Sequence, residues 1–129
     1  MSTAPWPNFS YAELRCKCGN CDSTGHEMDA EFMDRLQRLR TAYGKPLQLS
    51  SAYRCPDHPV EAKKASPGEH CTGKAVDVAI RGPDALLLLR LALEAGFTRI
   101  GVNQKGSARF LHLGTSADGR FPSPAIWSY

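Results

Sequence analysis

Two histidines and an aspartate stand where a packed core has no use for them. His70 closes a long polar loop, and Asp77 sits seven residues on, inside the apolar alternation Lys74-Ala75-Val76-Asp77-Val78-Ala79-Ile80. A carboxylate in mid-strand is disfavoured and costly to bury without a partner. His112 lies between Leu111 and Leu113, so on a strand it faces away from both. Two imidazoles and one carboxylate on rigid strands make a three-ligand set with a fourth position open. That is the arrangement of a catalytic zinc site, where a metal acidifies water and polarises a carbonyl. Singly, each residue has a plainer role: a strand histidine is usually a hydrogen-bonded core residue, and a strand aspartate can pair with an arginine or cap a turn.

The five cysteines (16, 18, 21, 55 and 71) are odd in number, so disulfides alone cannot pair them all. Cys16, Cys18 and Cys21, with Cys55 or His26 as a fourth ligand, could build a closed structural zinc site. The Cys-x-Cys-x2-Cys spacing is irregular, and one disulfide plus free thiols fits it equally. Cys71 adjoins His70 but reads as a small inert cysteine, not a ligand.

The elements that must carry these groups follow from periodicity. Asn8 to Leu14 reads as a short helical turn, with Ser10 and Glu13 at capping-box spacing and Phe9 and Leu14 as a hydrophobic staple. Phe32, Met33, Leu36, Leu39 and Tyr43 recur at helical spacing, so a helix is expected from Asp29, its cap, to Tyr43, ended by Gly44 and Pro46. Leu47 to Ser51 and Lys74 to Ile80 read as strands. Between them Arg54 to Gly68 is loop, with room for one helical turn. Gly82-Pro83-Asp84 opens a Leu-rich helix that Gly96 closes. Arg99–Val102 and Arg109–Leu113 read as two strands paired through the turn at 104–107. The tail Ile126-Trp127-Ser128-Tyr129 is apolar enough to dock on the body. Trp6, Tyr53 and Trp127 could line a groove for a peptide or sugar but read first as core or tail packing, and His58 as solvent-facing near a cleft mouth. This order of helices and short hairpin strands gives an α+β class, a small mainly antiparallel sheet with helices packed on it.

Composition sets the outer bounds. The 129 residues suit one domain, 1–129, and 42% hydrophobic with 22% charged residues excludes disordered and low-complexity classes. The net charge of +3 favours an anionic partner without a basic stripe or recognition helix for nucleic acid. The longest apolar run, Ala85 to Leu89, stops at Arg90, far short of a membrane span. The first fifteen residues hold Pro5, Pro7, Asn8 and Glu13 and lack the apolar core of a signal peptide, so synthesis in the cytoplasm is expected.

Three stretches in order, Ser51-Ala52-Tyr53-Arg54, Gly68-Glu69-His70-Cys71-Thr72-Gly73-Lys74-Ala75-Val76-Asp77 and Phe110-Leu111-His112, resemble the M15 family of zinc D,D-carboxypeptidases and endolysin-type peptidases. The likeness is greatest to the small phage and prophage members, and it extends to the opening Phe-Ser-x-x-Glu-Leu-x-Cys-x-Cys and the closing Ile-Trp-Ser-Tyr. It implies the fold shared with the amino-terminal signalling domain of hedgehog. It implies zinc on His70, Asp77 and His112. Arg54 then acts as the catalytic and substrate-binding arginine, its planar charged fork set for a carboxylate or carbonyl oxygen. Ser51 belongs to the same substrate-binding segment as a support for the loop, since no histidine is spaced to make it a nucleophile.

The sequence also departs from this family. Where many members carry an acid three residues before the last histidine, it has Arg109, which cannot act as a base near neutral pH. Where others have a second histidine it has Phe110, and where the phage-like branch has an aspartate it has Gly114. Glu69 and Asp118 are the remaining candidates for a water-activating carboxylate. Two functions are therefore expected. The first is a monomeric zinc peptidase that cuts an amide bond in peptidoglycan stem or cross-link peptides, reaching the wall after lysis or export. The second is a zinc-containing peptidoglycan-binding module without turnover.

Overall fold

The computed structural model describes residues 3–129. Among the described residues four helices and five strands occur in order: α1 (Tyr11–Leu14), α2 (Ala30–Tyr43), β1 (Leu49–Ser51), α3 (Pro59–Ala62), β2 (Ala75–Ala79), α4 (Gly82–Glu94), β3 (Arg99–Asn103), β4 (Phe110–Gly114) and β5 (Ala125–Ser128). A 3-10 turn, Glu69–Thr72, precedes β2. The five strands form one sheet in the order β1-β2-β4-β3-β5. All pairings are antiparallel except β3 with β5, so the expected α+β class and mainly antiparallel sheet are what forms.

One face of the sheet is the core. Val76 and Val78 of β2, Leu111 and Leu113 of β4 and Ile100 of β3 are buried there. Against them lie Phe32, Met33, Leu36 and Leu39 of α2 and Ala85, Leu88 and Ala92 of α4. The alternation that turns these residues inward turns Asp77 and His112 to the opposite face. The apolar stripe of α2 is thus the reason that the polar residues share a face.

Local signals start and stop the elements as their chemistry requires. Asp29 caps α2, its carboxylate accepting from the Phe32 amide at 2.8 Å, and Gly44 ends the helix in a left-handed conformation. Ser10 caps α1 by accepting from the Glu13 amide, while Phe9 and Leu14 are both buried as a staple requires. Gly73 ends the 3-10 turn at φ +76°, and a Cβ there would collide with the Glu27 carbonyl. Its own carbonyl accepts from the Asp29 amide at 2.9 Å, which ties the His70 turn to the start of α2.

Two expectations change. β1 starts at Leu49, not Leu47, and its pairing with β2 shifts register between Leu49 and Ser51, so Leu47 is buried in the approach to the strand. The tail forms β5, parallel to β3, with Ile126 outward and Trp127 half-buried. A parallel edge strand of four residues depends on β3 being already in place, so no local turn signal announces it.

Candidate metal centre

Register builds the centre. Ser51 of β1, Asp77 of β2, His112 of β4, Gly101 of β3 and Trp127 of β5 are successive cross-strand partners, a single row across the sheet. His70 joins the row from the 3-10 turn. Gly101 leaves the row open, because a Cβ there would meet the Trp127 indole and the Tyr129 hydroxyl. Trp127 therefore leans over the row, its ring 5.1 Å from that of His112.

The two imidazoles are oriented by different partners. The His70 Nδ1–H donates to the Ala52 carbonyl at 2.7 Å, which leaves Nε2 facing Asp77 Oδ1 at 3.1 Å. The His112 Nε2–H donates to Glu69 Oε1 at 2.8 Å, which leaves Nδ1 facing the same Asp77 oxygen at 3.1 Å. Each ring thus spends one nitrogen on a fixed acceptor and turns the other toward one carboxylate oxygen. Donor atoms of all three residues lie within 4.8 Å of one another, and all three side chains are buried. Outer hydrogen bonds that fix tautomer and ring direction are what metal-ligating histidines characteristically have. The donor set of two nitrogens and one carboxylate oxygen fits zinc.

The charge balance shows what a cation would do here. Burial pushes the Asp77 carboxyl up, but hydrogen bonds from His112 and His70 outweigh it and hold the acid well below its ordinary range. Burial alone would lower His112, yet Asp77 and Glu69 reverse this and raise it. Three buried acceptors converging on one point favour positive charge between them, supplied by protons or by a metal ion.

Glu69 has a different place from that of a free base. Its Oε1 accepts from His112 Nε2 and, at 3.0 Å, from Arg99 Nε, while Oε2 accepts from the Ser116 amide at 3.1 Å. Burial raises its carboxyl, and these donors bring it below the ordinary value. The carboxylate occupies the space beside Gly114, where a Cβ would fall on it. An acid is therefore present next to position 114, delivered from the 3-10 turn instead of from β4. It orients His112 and is fully engaged in doing so. Asp118 is engaged elsewhere: it caps an exposed turn by accepting from the amides of Arg120 and Phe121. Arg109 bonds the Gly106 carbonyl in the β3–β4 turn.

A cleft of about 440 Å³ opens over the centre, lined among others by Arg54, Lys64, Arg99, Phe110, Phe121, Trp127 and Tyr129. Arg54 reaches it from the loop after β1. Its guanidinium pairs with Glu61 Oε2 at 3.1 Å and lies 3.5 Å from Asp77 Oδ2, while its buried Nε has no partner. Glu61, in α3, is fully buried and also accepts from Lys64 and from the Gly68 amide at 2.8 Å. Burial works against its charge, but these donors bring its pKa down to about 2.

Ser51 shares the cross-strand row but does not line this cleft. It borders a smaller depression with Arg54 and His58. His58 is half-buried and caps α3, its Nδ1 accepting from the Val60 amide at 3.1 Å. Of the two readings of Trp127 the structure combines both: it lines the cleft as well as packing the tail. Trp6 is buried in the core with its indole N–H on Asp34. His26 does not join the cysteines, because its ring stacks on Tyr11 at 3.7 Å and its Nδ1 bonds the Thr24 hydroxyl. Cys55 does join Cys16, Cys18 and Cys21, in a second group able to hold a metal ion. Arg99 and Glu61 had no sequence signal beyond their charge, while Glu69, expected as a candidate water-activating acid, instead bonds His112 and Arg99.

An α+β sheet whose polar face gathers two pre-oriented imidazoles around one carboxylate, under a cleft with an arginine, defines a class of proteins with a three-donor centre able to hold a metal. The family follows from the sequence on that frame: the peptidase M15 family matches residues 7–114, and the chain belongs to it. The matched stretch carries Arg54, Glu69, His70, Asp77 and His112 and stops at the end of β4. It makes this chain a peptidase by family. None of the curated proteins compared with the chain matches it. Among the described residues no helix is long and apolar enough to cross a membrane.

Proposed function

We propose that the chain is a zinc metallopeptidase that hydrolyses an amide bond in peptidoglycan stem or cross-link peptides, as a carboxypeptidase or an endopeptidase. The observation that carries this reading is the pair of outer hydrogen bonds, which turns His70 Nε2 and His112 Nδ1 toward one Asp77 oxygen as candidate metal ligands. These three residues hold the zinc, which when bound would lower the pKa of a water molecule and polarise the scissile carbonyl. Glu69 fixes His112 in the required tautomer. Arg54, itself held by Glu61, lines the cleft and presents its guanidinium there to a carboxylate or carbonyl oxygen of the substrate. Lys64 and Arg99 add positive charge to the same cleft, which suits peptides ending in D-amino-acid carboxylates. Phe110, Trp127 and Tyr129 give the peptide an apolar wall. Ser51 supports the Arg54 segment. Residues 1–129 act as one domain and as a monomer, on the cell wall after lysis or export.

The test is digestion of purified peptidoglycan with and without a chelator. Metal-dependent release of amino groups is expected, and its absence in the zinc-loaded protein overturns the reading. A second reading is favoured by one observation: the carboxylates lining the cleft, Glu69 and Asp77, are both committed to histidines and arginines. It makes the chain a zinc-containing peptidoglycan-binding module, and predicts pull-down with the wall and no turnover.

A further inference from the structure

Outside this centre, four thiols converge from two segments far apart in sequence. Cys16 Sγ and Cys18 Sγ each lie 3.6 Å from Cys55 Sγ, and all four sulfurs, Cys21 included, are within 4.8 Å of one another. No pair is bonded, and all are free thiols. A disulfide needs about 2.05 Å between sulfurs, whereas four sulfurs about 2.3 Å from a tetrahedral zinc stand about 3.8 Å apart. The observed spacing is that of the second case.

The backbone around the cluster is arranged for thiolates. The Asn20 amide donates to Cys18 Sγ at 3.3 Å and the Cys55 amide to Cys16 Sγ at 3.3 Å. Such N–H···S bonds favour the ionised form. Gly19, at φ +80°, supplies the left-handed residue that folds Cys18 and Cys21 back toward one point. Between Leu14 and Ala30 there is no helix or strand, yet Cys16 is buried. A segment with so little regular structure gains most from a cross-link.

We propose that Cys16, Cys18, Cys21 and Cys55 hold a structural zinc ion, distinct from the centre on the sheet. Four protein ligands close the coordination shell, so the ion has no open position for chemistry. It clamps the segment after α1 onto the loop after β1. Cys55 is the neighbour of Arg54, so the clamp also sets where the cleft arginine emerges. The site stands whether or not the chain is a peptidase.

Cobalt substitution reads this site directly, because thiolate ligands give intense sulfur-to-cobalt charge-transfer absorption that imidazole and carboxylate do not. The His112→Ala protein, reduced and loaded with cobalt(II), is expected to keep that absorption and to bind one equivalent. Cys21→Ser, at the exposed corner of the cluster, is expected to weaken it, and Cys18→Ser/Cys21→Ser to abolish it. In parallel, thiol counting with a chromogenic disulfide on zinc-loaded protein is expected to find Cys71 alone reactive, with four more appearing after chelation. Five equally reactive thiols in the zinc-loaded protein, absence of charge-transfer absorption in the His112→Ala protein, or a disulfide within the cluster in protein purified with zinc would overturn the proposal. Loss of peptidase activity would not bear on it.

Discussion

Replacing Glu69 by glutamine separates an orienting carboxylate from a free base. The amide keeps the size of the side chain but loses the charge that faces His112 and Arg99, at 2.8 and 3.0 Å. Loss of such an outer partner costs roughly 10- to 100-fold in metal affinity, or about 1.4–2.7 kcal/mol. Zinc affinity, measured by competition with a chromogenic chelator, is expected to fall by that factor. The same carboxylate should make position 114 intolerant of any side chain: Gly114→Ala puts a methyl group onto it and is expected to cost about 1–3 kcal/mol in urea unfolding. Gly114→Asp, which resemblance to the phage-like members would suggest as an improvement, meets the same obstacle and gains nothing alone. In a Glu69→Ala background the space is vacated, so the cost of Gly114→Ala should largely vanish, a coupling of about 1 kcal/mol or more. Wild-type zinc affinity in Glu69→Gln, or an unchanged cost of Gly114→Ala in the Glu69→Ala background, would refute the assignment.

Further outcomes follow from other contacts. The Glu61 pKa lies below its ordinary 4.5, at about 2, so its ion-pair contribution is present above pH 4.5 and is lost as the pH falls toward 2. The shift corresponds to about 3 kcal/mol. The stability advantage of wild type over Glu61→Gln in urea should therefore shrink by about that amount between pH 6 and pH 2, and an advantage independent of pH contradicts the pairing. Gly101→Ala should push Trp127 off the row, seen as a change in tryptophan fluorescence, with a higher KM and little loss of stability; unaltered fluorescence and KM would count against the tight approach. Leu36→Ala, in the fully buried stripe of α2, should cost about 2–5 kcal/mol in denaturant unfolding while leaving zinc affinity of the folded protein unchanged.

The parts legible in sequence are those whose signals are local. The 3.6-residue stripe from Phe32 to Leu39 with Asp29 and Gly44 at its ends marks α2, and the alternation around Asp77 and His112 puts both on the face away from Val76 and Leu113. Once those two strands pair in register, as Asp77 with His112, the centre is largely assembled. What escapes is set by tertiary direction. The Glu69 side chain points under β4 because the 3-10 turn carries it there, and its place next to His70 in sequence suggests a base for water, not a partner that orients His112. β5 joins β3 in parallel at the sheet edge, so Trp127 and Tyr129 read as tail until that edge exists. Cys55 is 34 residues beyond Cys21, and only the packing of the post-β1 loop on the segment after α1 tells it from His26 as the fourth member of the group.

The central claim is that His70, Asp77 and His112 together hold the metal ion on which hydrolysis depends. Zinc content per chain, measured after dialysis on the wild type and on His112→Ala and Asp77→Ala, addresses it most directly. With the cysteine site occupied, two equivalents are expected in the wild type and one in each variant. Equal zinc content in all three proteins would contradict the account.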